Sequence, residues 1–191
     1  MIADLFVVKK CPKYGKDEKG IFATQFIPKG TIVHFLCKKC GTWSLKEMAR
    51  LSKPRILQVL THEYPTKYCD RRLGYINHPC NPKIMETQKG FDIVVRDIAK
   101  GEEATEDYRI FNEEKHFDGG CKCGEKNCMK NTTYRSPAPK KLRRFWDGEI
   151  RSAMRLIPDV KQPLKKELLK EHPELRRLFN KNEKRPKHQS N

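Results

Sequence analysis

Three thiols within eight residues, Cys121-Lys122-Cys123-Gly124-Glu125-Lys126-Asn127-Cys128, constrain this chain more than any other feature. Structural zinc takes four Cys or His ligands in a tetrahedron, and compact spacing lowers the entropy cost of gathering thiolates on one ion. The cluster supplies three ligands, so one is missing. Eight cysteines in all would suit a disulfide framework in an exported chain. The N-terminus, Met1-Ile2-Ala3-Asp4, lacks the charged-then-apolar order of a secretory signal, which favours metal-bound or free thiols in a reducing compartment. No run approaches the roughly 18 to 20 apolar residues of a membrane span. The expectation is a soluble, intracellular protein with no membrane partner.

The 191 residues are enough for one catalytic-size core and an appendage. Short runs rich in β-branched and aromatic residues, bounded by Gly, Pro and Lys, read as strands. They are Leu5 to Val8, Gly20 to Thr24, Thr31 to Phe35 and Phe91 to Val95. Ser44-Leu45-Lys46-Glu47 has the form of a capping box, and Leu45, Met48, Ala49 and Leu51 follow at helical spacing. Leu142, Phe145, Trp146, Ile150, Ala153, Met154 and Ile157 recur as one helix face, with Arg143, Arg144, Arg151 and Arg155 among the polar positions. Further on, Pro158, Pro163 and Pro173 punctuate a second helical stretch that holds Leu164, Leu168, Leu175, Leu178 and Phe179. Residues 135–191 carry 17 basic and 7 acidic side chains, so the basic excess is concentrated at this end. Such a surface fits an acidic protein, a nucleic acid or a nucleoprotein, and a solvated basic face is the other reading.

Two more segments complete a pattern. One is Gly74-Tyr75-Ile76-Asn77-His78-Pro79-Cys80-Asn81-Pro82, and the other is Gly101-Glu102-Glu103-Ala104-Thr105-Glu106-Asp107-Tyr108. Read in order with a glycine-bearing early strand and the cysteine cluster, they resemble the SET-domain protein-lysine methyltransferases. Those enzymes carry an Asn-His-Ser-Cys-x-Pro-Asn segment, a Gly-Glu-Glu-Leu-x-x-Asp-Tyr segment and a C-x-C-x4-C post-SET cluster. The resemblance spans roughly residues 4–134. It implies a mainly β fold with short helices, a β-rich α+β arrangement of small curved sheets with a knot-like threaded core. It also implies a SET domain over residues 1–118 with a helical insert near 44–72, and a post-SET segment over 119–134. A basic helical extension over 135–180 and a disordered tail over 181–191 would follow.

The same resemblance implies roles. Asn77 and His78, with Tyr75 and the strand Lys19, Gly20, Ile21 and Phe22, would bind S-adenosylmethionine, and Tyr134 would stack on its adenine. Cys80 would be the missing zinc ligand beside Cys121, Cys123 and Cys128. Tyr108 would be the catalytic residue, and Glu106 with Tyr108 would line the substrate lysine channel and influence how many methyl groups fit. The protein partner would be a substrate carrying a target lysine, with histone or another chromatin protein as one class.

Four positions depart from the family pattern: Pro79 for the usual Ser, Lys83 for Asn, Glu18 for a Gly, and Glu106 for Tyr or Phe. Glu18 and Glu106 favour an alternative, a catalytically degenerate zinc protein that binds DNA or a nucleoprotein through its basic end. Cys37-Lys38-Lys39-Cys40 has the C-x2-C spacing of half a zinc knuckle, which Cys11 and Cys69 could complete, but free thiols are the preferred reading. His34, His62, His116 and His172 have no ligand-like spacing.

Overall fold

The computed structural model describes residues 1–37, 46, 50, 70–110, 121–126, 128, 130 and 139–181. The proposed capping box, most of the helical insert, Cys40, Cys69, His62, His116, Tyr134 and the tail beyond 181 lie outside the described residues.

Strands form where the apolar runs predict them, with shifted ends. Strand β1 is Phe6–Lys10, β2 is Lys19–Ala23 and β3 is Ile32–Phe35. Strand β4 is Ile84–Glu86, β5 is Phe91–Val94 and β6 is Glu103–Ala104. Two three-stranded antiparallel sheets result, ordered β1-β2-β6 and β3-β5-β4. Strands β4 and β6 were not foreseen, because two or three residues are too few to show an alternating pattern. Alternation along each strand sends Ile21, Ala23, Val33, Ile84 and Val94 into a core with Ile2, Phe6, Leu73 and Ile76. Ile93, Met85, Phe91 and Phe35 enter a second core.

That second core is completed from the far end of the chain. Helix α1 is Lys140–Met154, and a 3-10 turn Ile157–Asp159 leads to helix α2, Lys165–Glu171, and a second 3-10 segment, Pro173–Phe179. Leu142, Trp146, Ala153, Ile157, Leu164, Leu168 and Leu175 pack with Ile32, Phe35, Phe91 and Ile93. Ile157, expected on the same helix as Leu142, falls in the turn. Two features fix the seam. Gly30 has φ +93°, and a Cβ there would lie 2.7 Å from Leu156 Cβ. Gln162 accepts from the Ile32 amide at 2.9 Å and donates to the Gly30 carbonyl at 2.8 Å, so it caps the entry to β3.

Candidate active site

The two motif segments meet edge to edge. Asn77 and Thr105 form a parallel bridge, and the Glu106 amide donates to the Asn77 carbonyl at 3.0 Å. A 3-10 helix, Arg71–Tyr75, delivers the first segment, its start capped by the Asp70 side chain on the Arg72 amide. Asp70 also grips the Arg72 guanidinium, whose hydrogen bonds hold that carboxyl below its usual range. A second 3-10 turn, Tyr108–Ile110, ends the other segment.

Tyr108 is held at both ends. Its backbone N–H donates to His78 Nδ1 at 3.1 Å and its phenol O–H donates to the Ile76 carbonyl at 2.5 Å. Burial first, and then the carboxyls of Glu106, Glu103 and Glu18, push the phenol pKa well above its ordinary value, so the hydroxyl stays protonated. Burial also lowers His78 to about 4. A neutral ring that accepts at Nδ1 carries its proton on Nε2, which lies 3.8 Å from Cys80 Sγ.

Cys80 is also 3.8 Å from the sulfurs of both Cys121 and Cys128. With Cys123 these ligand atoms all lie within 4.8 Å of one another. Four sulfurs at about 2.3 Å from a central zinc would be separated by about 3.8 Å, so the cluster fits a tetrahedral thiolate site. Burial raises the Cys121 thiol. At Cys123 burial acts the same way, but hydrogen bonds from the Cys80 and Glu125 backbone outweigh it and bring the thiol down to about 7. Such a crowd of sulfurs is relieved by a cation.

On the other side of Asn77 lies a polar corner. The Asn77 amide donates to the Lys19 carbonyl at 2.9 Å and to Glu103 Oε1 at 2.7 Å. Cys11 Sγ approaches the same carboxylate oxygen at 3.4 Å, and the Tyr14 hydroxyl lies 3.5 Å from the His78 carbonyl. Gly20 faces this corner, where a Cβ would stand 2.6 Å from Glu103 Oε1 and 3.0 Å from Asn77 Nδ2. Lys19 Nζ lies 5.7 Å from the centre of the Tyr75 ring. The Ile21 side chain belongs to the core between the sheets, while Phe22 is partly exposed.

Glu106 is 8% exposed, and its Oε1 has no hydrogen-bond partner. Burial, then Asp92 and Glu86, raise its pKa well above the carboxylate range. Asp92 pairs across β5 with Glu86 and with His34, whose Nδ1 contacts the Asp92 carboxylate. The sequence expectation thus brings together Lys19, Gly20, Asn77, His78, Tyr108 and the four thiols. It gave no role in this site to Glu103, Tyr14 or the buried pair Asp107 and Arg109, and it weighed Cys11 only as a zinc ligand with Cys37, Cys40 and Cys69. Glu103 stood within a quoted motif, whereas nothing local marks Cys11 or Tyr14. Cys11 is buried and its thiol is raised to about 11, by desolvation before the Glu103 charge, as suits an unreactive thiol. Cys37 lies in the core shared with α1. Among the described residues the four-sulfur group is the metal-ligand cluster that forms.

The comparisons with known proteins come to the same ground. An alignment 63 positions long, covering 29% of the chain, is 38% identical to a Drosophila melanogaster protein named histone-lysine N-methyltransferase trr. The chain spans about 3% of that relative's length. The family model of the SET domain matches residues 18–109. That match runs from the residue before β2 to the residue after Tyr108, so the stretch that carries β2 to β6 and both motif segments is the part of the chain that matches the SET domain.

Proposed function

We propose that this chain is a protein-lysine N-methyltransferase that uses S-adenosylmethionine and holds a structural zinc on Cys80, Cys121, Cys123 and Cys128. The observation that carries the reading is the placement of a protonated Tyr108 phenol on the Ile76 carbonyl, one residue from Asn77 and between the polar corner and the sulfur cluster. The corner suits the cofactor. The Glu103 carboxylate and the Lys19 carbonyl favour a cation, and the missing side chain at Gly20 leaves backbone open to close approach. Bound there, the cofactor supplies a methyl group on a sulfonium.

The difficulty in the reaction is the nucleophile, because at pH 7 only about 0.04% of a lysine with pKa near 10.4 is the free amine. Apolar walls and a nearby positive charge both lower that pKa. The Tyr108 O–H donates to Ile76, which turns its oxygen into an acceptor for the amine N–H that would aim the nitrogen lone pair along the line of displacement. Glu106, two residues away and short of a partner, lines the lysine channel in this reading. Tyr75, Asn77, His78, Lys19, Gly20, Ile21, Phe22 and Tyr134 serve the cofactor. Zinc ties Cys80, and with it His78, to the cysteine-rich segment.

The substrate class is a protein with an accessible lysine, chromatin proteins included. Lys140, Lys141, Arg143, Arg144, Arg151 and Arg155 are exposed along α1 and its end, which favours docking on a polyanion. Purified protein given labelled cofactor and a basic protein should transfer methyl, and Tyr108→Phe should lower the rate at least 100-fold with the melting temperature kept. Cofactor binding without any labelled protein would exclude the catalytic reading. Salt-dependent DNA binding alongside negligible cofactor affinity would support the degenerate binding module instead.

A further inference from the structure

Helix α1 reaches the candidate active site through the Trp146 indole. Trp146 is 8% exposed, and its indole N–H donates to Asp107 Oδ2 at 3.0 Å. Asp107 is 0% exposed and Arg109 1%. Arg109 closes a fork on the same carboxylate, with Nε on Oδ1 at 2.7 Å and Nη2 on Oδ2 at 2.6 Å, and its backbone amide reaches Oδ1 at 3.1 Å. Tyr108 is the residue spanned by this fork. The arms that hold the Tyr108 turn are therefore His78 on its amide, the Asp107 and Arg109 clamp around it, and Trp146 behind the clamp.

A buried carboxylate is oriented by the donors that surround it, and losing one leaves an acceptor that must shift or go unpaired. Trp146 is the donor here that comes from another part of the fold, about forty residues along the chain. The Asp107 and Arg109 pair joins residues of the turn to each other, and the indole ties that pair to α1, which is anchored in the core shared with strands β3, β4 and β5.

We infer that Trp146 is a positioning residue for Tyr108: its indole N–H fixes the Asp107 carboxylate, and α1 is thereby part of the reacting unit. This rests on the methyltransferase reading for its kinetic consequence, though not for its structural one. Displacing a reacting group by a fraction of an ångström costs rate more than binding.

The test uses the full-length, zinc-loaded chain and Trp146→Phe, which keeps an aromatic ring and removes the N–H. Leu142→Ala serves as a packing control from the same buried face of α1. Methyl transfer to a basic protein should show kcat lowered about tenfold by Trp146→Phe with KM for cofactor and protein within twofold. The loss should shrink to less than twofold when the change is made in a Tyr108→Phe background, whereas Leu142→Ala should lower stability and leave kcat unchanged. An equal loss in both backgrounds would overturn the inference. A second readout does not need turnover. With tyrosine labelled by carbon-13 at Cζ, the Tyr108 resonance, identified by its disappearance in Tyr108→Phe, should move in Trp146→Phe and stay in place in Leu142→Ala. An unmoved resonance defeats the positioning role even if the wild type proves inactive, and a moved one sustains it while the methyltransferase reading alone fails.

Discussion

Gly20 and Glu86 show how single side chains set the properties of this site. At Gly20 a methyl group would meet the Glu103 carboxylate at 2.6 Å, too close without displacement of Glu103 or Asn77. Gly20→Ala should therefore weaken binding of labelled S-adenosylmethionine at least tenfold in equilibrium dialysis, with little change in unfolding midpoint. Glu86 has its carboxyl raised to about 7 by burial and, second, by the Asp92 carboxylate across the strand. Asp92 also meets His34, and Glu86 and Asp92 together raise the Glu106 carboxyl on the neighbouring segment. Below the ordinary value of 4.5 both folded and unfolded chains hold the Glu86 proton, and above about 7 neither does. Between those limits the folded chain binds more protons, so folding weakens as pH rises. Glu86→Gln should match the wild type near pH 5 and exceed it by roughly 1–3 kcal/mol at pH 8, read from urea unfolding at both values. Wild type and variant carry the same thiols, so their titration cancels in the difference.

At the scale of elements, the cysteine-rich segment is held by chemistry more than by secondary structure. Cys123 is buried beside the other three sulfurs, and Lys130 stands with φ 61° next to the cluster. One zinc per chain is expected by elemental mass spectrometry, and Cys123→Ser should lose it and lower the melting temperature. Strong chelation should have the same effect on the wild type, because binding free energy at such a site is folding free energy. Helix α1 was legible from its apolar spacing, and its partners were not. Periodicity marks a face that must be covered without naming the cover, and only the fold shows that Ile32, Phe35, Phe91 and Ile93 provide it. Strands β1, β2, β3 and β5 were readable from β-branched runs, while β4 and β6 depend on partners far away in sequence.

For the whole molecule the consequence is that residues 140–179 are structural for the sheet-bearing part. Leu168 is fully buried on α2 in the core shared with Phe35 and Phe91. Leu168→Ala should cost about 2–5 kcal/mol of unfolding free energy, measured by urea titration followed at both helix and near-ultraviolet signals. Coincident loss at the two signals would show one cooperative unit. No helix among the described residues is long and apolar enough to cross a membrane. The sequence by itself determined the kinds of atoms available: three clustered thiols, a tyrosine after an acidic run, an Asn-His pair, and a basic amphipathic end. Those are local properties, fixed by residue type and spacing. Cys80 was expected beside the cluster from the family resemblance, and the tertiary structure brings it there; tertiary structure alone decided that Glu103 faces Asn77 and Gly20 and that Trp146 grips Asp107. Each of these joins residues about 25 to 85 positions apart, where the meeting of side chains is set by how sheets and helices share a core.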